Sequence, residues 1–327
     1  MSWLSRSPID PFLLAIIAAA LAGTFLPVTG GGVDVLDWIT TFAIALLFFL
    51  YGARLSPQET LAGLKHWRLH LTILSFTYVA FPLLGLAVAA VASNWLSPAL
   101  VTGLVYLTLV PSTVQSSIAF TSIARGNVAG AVVSASASNI LGVFLTPALC
   151  WLLLSGSIQF TPQAILDILL QLLLPFVLGQ LSRRWTATWV KAHPQLKLVD
   201  RGSIVLVVYS AFAAGRRENM WQQTSLAEIG IVVGICLVVL AVMLVLSWWT
   251  ARRLRFSVED AIAIQFCGTK KSLASGLPMA SVLFAGSPIG LLMLPLMIFH
   301  QAQLMACASL AERYARRPDA TPVGAEA

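Results

Sequence analysis

The sequence predicts an all-α polytopic membrane protein of about ten transmembrane helices, arranged as two inverted five-helix repeats. Three observations lead there. Only 10% of the 327 residues are charged and 58% are hydrophobic, with a mean hydropathy of +0.86, whereas a soluble domain carries about a quarter charged residues. Apolar stretches of spanning length follow one another from Pro11 to Ala311. The fourth and the ninth carry helix breakers and polar residues at mid-depth, and these are matching positions in two five-span halves.

In chain order, spans are expected near 11–29, 35–53, 69–92, 98–123 and 128–154, then near 163–182, 201–215, 227–250, 259–284 and 288–311. Each reaches or approaches the roughly 20 apolar residues that a hydrocarbon core of about 30 Å requires of a helix. The repeats then occupy residues 1–155 and 156–313, and residues 314–327 read as a disordered cytoplasmic tail. An odd number of spans per half forces the second copy to insert upside down.

Lys and Arg near span ends stay cytoplasmic and so set the orientation. Arg54, Lys65 and Arg68 follow the second span and Arg125 the fourth. Arg183, Arg184, Lys191, Lys197 and Arg201 follow the sixth, and Arg252, Arg253 and Arg255 the eighth. Together with Arg6 before the first span and Arg313, Arg316 and Arg317 after the last, they put both termini in the cytoplasm. Arg216 and Arg217 lie on the opposite side, and Lys270 and Lys271 lie inside a span. The net charge of +7 is therefore an orientation signal rather than a nucleic-acid face. Arg6, the apolar run after it and Ala20-Leu21-Ala22 also fit a signal peptide with its cleavage site. Asp10-Pro11 at the edge of the run and the five-plus-five pattern favour a retained span. Cys150, Cys236, Cys267 and Cys307 all fall in apolar stretches without metal-ligand spacing, and packing is the account of each.

In the fourth span, Val110-Pro111-Ser112-Thr113-Val114-Gln115-Ser116-Ser117 places a proline beside hydrogen-bonding side chains near the membrane centre. In the ninth, Gln265-Phe266-Cys267-Gly268-Thr269-Lys270-Lys271-Ser272 does the same with a glycine and two lysines. Counted from Glu259 at about 1.5 Å per residue, Lys270 lies roughly 16 Å into the bilayer core, its midplane. A lysine there costs at least about 2.5 kcal/mol and must face protein or water. Half-helices starting from Ser112 and Ser272 onward would offer free N–H groups to an anion, and the carbonyl ends of the preceding halves could hold a cation. The blander readings are that Pro111 only kinks a helix, that the hydroxyls bond across helices, and that the lysines snorkel from an interface.

At these residues the chain resembles the bile acid:sodium symporter family (solute carrier family ten-like), specifically its divergent YfeH-like branch. The resemblance rests on Ile123-Ala124-Arg125-Gly126-Asn127-Val128-Ala129, on Leu145-Thr146-Pro147-Ala148, and on the segment from Phe266 to Gly276. It implies a six-span core domain beside a four-span panel domain, with broken helices four and nine crossing in the core. It also implies that Cys267 and Lys271 stand where typical symporters carry a Glu and a Gln as sodium ligands, and that Thr77, five residues before Pro82, stands where they carry another Gln. Ser116, Ser117, Ser136, Ser138 and Asn139 are the oxygen ligands that it suggests, with sodium at Ser116, Ser117, Ser138 and Asn139. Since both span-nine ligands are replaced, an ammonium of Lys270 or Lys271 is expected to fill the space of the cation, giving sodium-independent or proton-linked behaviour.

The function expected is secondary-active transport of a small organic solute, an organic anion by charge, with sodium or a proton as coupling ion and no other cofactor. The binding residues expected are Ser112, Thr113, Gln115, Ser116, Ser117, Ser136, Ser138, Asn139, Gln265, Cys267, Thr269, Lys270, Lys271, Ser272 and His300. His300, Gln301 and Gln303 of the tenth span reach toward the same core, either for proton transfer or as interhelical hydrogen bonds. Asp167 and Asp260 read as interfacial caps, and Trp221, Trp248 and Trp249 as an aromatic belt. The partners expected are the substrate and the lipid of a bacterial inner membrane, with no nucleic acid and a monomer favoured. A non-transporting regulator of ion (calcium) homeostasis is the alternative. An intramembrane enzyme is disfavoured because the chain lacks H-E-x-x-H and G-x-S-x-G.

Overall fold

Between Pro11 and Ala315 the apolar runs fold as helices, and no strand occurs among the described residues. The computed structural model describes residues 11–54, 66–154, 166–167, 169–193, 195–217, 219–222 and 224–317. Arg6, Asp10 and Lys65, read above as topology signals, lie outside these, as do the start of the expected sixth span, the 155/156 repeat boundary and the tail from 318. In order the helices are α1 (Pro11–Phe25), α2 (Gly32–Arg54), α3 (Trp67–Ser75), α4 (Phe81–Ala92), α5 (Pro98–Leu109), α6 (Val114–Ile123) and α7 (Val128–Leu154). They continue with α8 (Leu174–Ala192), α9 (Leu196–Arg217), α10 (Leu226–Arg253), α11 (Val258–Gly268), α12 (Leu273–Leu283) and α13 (Ile289–Ala315). A π-turn, Phe76–Ala80, joins α3 to α4, and a second, Leu169–Leu173, precedes α8.

Among the described residues, six stretches are long and apolar enough to cross a membrane: Gly32–Arg54, Trp67–Ala92, Val128–Leu154, Leu196–Arg217, Leu226–Arg253 and Ile289–Ala315. The pair α5 and α6 passes the same test as one bent element. The chain is thus a multi-pass helical membrane protein. The last helix runs through Ala315, and Arg317 donates to the carbonyls of Ala124 and Arg125. Residues 314–317, expected to open the disordered tail, are therefore ordered, because the last helix and these bonds hold them.

The chain divides into two compact units interleaved in sequence. One comprises Met1–Arg54, Phe160–Ser225 and Leu277–Leu291. In it α1 packs on α9, and α2 on α8 and α9. The α2–α8 approach needs glycine on both sides: a Cβ on Gly52 would lie 2.1 Å from the Phe176 carbonyl oxygen, and one on Gly179 2.1 Å from that of Phe49. Arg54 closes this unit with an ion pair to Asp200.

The other unit comprises Leu55–Gln159, Leu226–Gly276 and Leu292–Ala327. Its centre is α11, which packs on α3, α6, α7 and α10 and is buried throughout from Asp260 to Gly268. Ser257 caps α11 by accepting from the Asp260 N–H at 3.1 Å, and Glu259 and Asp260 in the first turn complement its dipole. The Ile123–Ala129 turn is tied to that same end. Asn127 donates its backbone N–H to the Glu259 carbonyl (3.0 Å) and its amide to Asp260 Oδ1 (2.7 Å).

Candidate functional site

Both breaks follow from local chemistry. Pro111 has no N–H to continue α5, and Val110 and Thr113 take extended conformations (φ −74°, ψ 154° and φ −82°, ψ 124°), so α6 resumes at Val114 with a bend of 59°. In the other break α11 ends at Gly268, and Ser272 Oγ accepts the Ser275 N–H at 3.2 Å to start α12. The half-helices therefore begin at Val114 and Leu273, later than the expected Ser112 and Ser272, because the break residues themselves are extended or act as the cap.

A helix that stops inside protein must place its orphaned carbonyls. Here each break largely satisfies the other. The Ser272 N–H donates to the Pro111 carbonyl (2.8 Å). Ser112 Oγ donates to the Cys267 carbonyl (2.6 Å), Ser117 Oγ to that of Phe266 (3.1 Å) and Thr113 Oγ1 to that of Lys271 (3.0 Å). Helix α7 takes several more. Thr146 Oγ1 donates to the Leu109 carbonyl (2.9 Å), Asn139 Nδ2 to that of Ser112 (2.7 Å), and Ser138 Oγ accepts the Ser112 N–H (3.0 Å). Gln303 of α13 reads both sides of the Lys271 peptide, accepting its N–H and donating to its carbonyl, each at 2.8 Å.

The adjacent lysines are both 0% exposed, yet their surroundings differ. Lys271 Nζ donates to the carbonyls of Thr77 (2.8 Å), Thr108 (2.7 Å) and Val110 (2.9 Å) and lies 4.4 Å from the centre of the Phe81 ring. Charge-assisted hydrogen bonds at about 1.5–3 kcal/mol each are of the size needed to offset the several kcal/mol of burying an ammonium. Lys270 Nζ makes no hydrogen bond to oxygen or nitrogen among the described residues. It sits 4.0 Å from the Phe120 ring centre and 5.9 Å from that of Phe266, with the thiols of Cys307 and Cys267 as polar neighbours. A desolvated cation–π contact supplies about 2 kcal/mol, less than that cost.

The remaining expected site residues divide by exposure. Gln115 is exposed, and Thr113, Ser116, Ser136, Asn139 and His300 are half-buried, while Ser112, Ser117, Ser138, Gln265, Cys267, Thr269 and Ser272 are buried. Gln265 is tied away from the breaks, donating to the Leu244 carbonyl (2.9 Å) and accepting from the Tyr314 hydroxyl (2.8 Å). Thr269 Oγ1 folds back onto the Gln265 carbonyl at 2.5 Å. His300 Nδ1 lies 3.3 Å from the Lys271 carbonyl and 2.9 Å from Gln303 Nε2. The Ser116 hydroxyl is buried without a hydrogen-bond partner among the described residues.

A family model, that of the SBF-like CPA transporter family, matches residues 10–316. The chain belongs to this family. Its relatives place it in the YfeH-like branch of the bile acid:sodium symporters. An uncharacterised Pseudomonas aeruginosa protein, PA2026, is 55% identical over 314 residues, 95% of this chain and 94% of that protein. Escherichia coli YfeH, whose name proposes a symporter, is 47% identical over 317 residues, again 95% and 94%. Mouse sodium/bile acid cotransporter 7 is 31% identical over 314 residues, 93% and 92%. As a member of this symporter family, the protein is a membrane transporter.

Within this SBF-like protein, sequence reasoning missed three side chains that hold the breaks. Tyr78 donates to the Ser138 carbonyl (2.5 Å), Tyr106 to that of Gly276 (2.6 Å), and Thr146 to that of Leu109 as above. The general signal was a hydroxyl within a membrane-depth stretch, since a buried hydroxyl needs a partner, but nothing set these three apart from the other hydroxyls of their spans. Gly142 marks the same place: a Cβ there would lie 2.7 Å from Pro111 Cβ and 2.8 Å from the Tyr78 hydroxyl.

Proposed function

We propose that this protein is a secondary-active transporter that carries a small organic anion across a bacterial inner membrane by alternating access. In this reading ten spans form two inverted five-helix repeats, the two interleaved units act as core and panel, and both termini are cytoplasmic. The observation that carries it is the stitched pair of broken helices. Irregular backbone at membrane depth is tolerated only within protein or beside a cavity, and the exposed Gln115 with the half-buried Thr113 and Ser116 puts polar groups at the first turn of α6. That helix end favours a carboxylate or sulfonate.

The coupling species is a proton or sodium, with oxygens of Ser116, Ser117, Ser138 and Asn139 as the candidate sodium ligands. A lysine ammonium beside the breaks lowers the need for sodium. The test is uptake of carboxylates and sulfonates by purified protein in proteoliposomes, with sodium exchanged for choline. Saturable concentrative or exchange flux that persists in choline is expected. Binding without flux points to a regulator, and a steep sodium requirement that survives Lys→Ala at 270 and 271 ends the coupling argument.

A further inference from the structure

We propose that the three carbonyls around Lys271 form a monovalent-cation site occupied by the lysine's own ammonium, so that removing the side chain opens a site for potassium or a primary alkylammonium ion. The inference rests on the cage and not on the transport reading.

The acceptors are free for reasons that do not involve the lysine. In the π-turn the Phe81 N–H bonds the Phe76 carbonyl, which skips Thr77, and the next residue, Pro82, has no N–H to offer. The Thr108 carbonyl would meet the Ser112 N–H in a continuous helix, but that N–H is held by Ser138 Oγ. Val110 lies past the end of α5 in extended backbone. Three orphaned oxygens therefore converge on one point, and an ammonium has three N–H donors to answer them. A neutral amine would turn its lone pair against one of those oxygens.

The occupant class follows from the same atoms. The ligands are uncharged carbonyls, so a monovalent ion leaves one uncompensated charge in the protein interior, and a divalent ion leaves two. Distances of 2.7–2.9 Å suit N–H···O contacts and ions of ammonium size, and backbone carbonyls replace the hydration shell of potassium in the same manner. Smaller ions would require the cage to contract. Contraction is resisted: Ser272 N–H to Pro111 and Gln303 to Lys271 fix the backbone, and Phe81 is held edge-on against Phe299 with ring centres 5.9 Å apart.

Lys271→Ala removes the atoms of propylammonium, which makes that ion the matched probe. The full-length variant and wild type are melted in detergent by tryptophan fluorescence, in chloride salts of propylammonium, potassium, sodium and tetramethylammonium at one ionic strength. In tetramethylammonium, which donates no hydrogen bond, the variant is expected to melt about 5 °C or more below wild type. Propylammonium and potassium recover most of that deficit, sodium recovers less, and wild type is indifferent. A variant that melts with wild type, or that responds alike to all four salts, overturns the proposal. If Lys271→Ala does not fold, Lys271→Met is read instead. It fills most of the lysine side chain's space without charge, so melting below wild type in every salt supports the cage, and melting with or above wild type overturns it. Because the readout is stability, a failure here leaves the uptake experiment unaffected, and the reverse holds.

Discussion

The two breaks use one device in opposite ways. Around the α5–α6 break the chain is accessible, with Gln115 exposed and Thr113, Val114 and Ser116 half-buried, whereas Thr269, Lys270, Lys271 and Ser272 of the α11–α12 break are all buried. Both interrupt a helix and satisfy the loose ends with side chains. Only the first leaves polar groups uncovered, and only the second carries charge. The difference teaches that the first break is suited to meet a solute and the second to hold the first in place. Mutations should separate accordingly: changes at the second break act on stability, downward where they remove a hydrogen bond, and changes at the first lower flux.

The largest effect is expected at Gln303. Gln303→Ala removes the acceptor of the buried Lys271 N–H and one of the donors to its carbonyl, which keeps Thr113. That costs about 2–4 kcal/mol, a melting point roughly 5–10 °C lower. Melting unchanged from wild type would remove the second break from its scaffolding role. Lys270→Met comes next and has the opposite sign. Its ammonium lacks the oxygen partners that Lys271 has, so replacing it with an apolar side chain of similar length should be neutral or stabilising, by about 1–3 kcal/mol. A clear fall in melting temperature would mean that the two lysines are held alike.

That contrast shows where the sequence stops being legible. Apolar runs and flanking charge were enough for the helices, and Pro111 and Gly268 among polar residues were enough for the breaks. By residue type Lys270 and Lys271 read alike, and only the resemblance set Lys271 and Thr77 at ligand positions, because which lysine enters the cage depends on how the backbone leaves α11 after Gly268. It also depends on carbonyls that every residue possesses and that leave no mark in the letters, one of them on Thr77 in a distant span. Pro82 did announce a freed carbonyl. In an α-helix it would be that of Tyr78, and the π-turn moves the vacancy to Thr77. The halves expected at 1–155 and 156–313 likewise do not reveal units interleaved along the chain, since packing partners are chosen in space.

Tyr106→Phe tests the stitching at a smaller scale. The hydroxyl, 2.6 Å from the Gly276 carbonyl, is buried with its ring, and losing one such hydrogen bond costs about 1 kcal/mol. The melting point should fall by roughly 2–4 °C, with flux retained in proportion to folded protein. A loss of flux beyond that would give Tyr106 a part in moving α12.

Gln115→Ala should disturb stability least. The side chain is exposed at the first turn of α6, and an exposed substitution without a structural bond usually stays within about 0.5 kcal/mol. The melting curve should therefore overlay that of wild type. If the start of α6 meets the anion, the concentration for half-maximal uptake should rise about tenfold, the worth of a hydrogen bond to a charged group. Ser116→Ala should not lower the melting point either, because its buried hydroxyl has no partner among the described residues to lose. Should either variant melt as low as Gln303→Ala while uptake per folded molecule stays unchanged, the accessible break would be scaffold and the division of labour between the two would be lost.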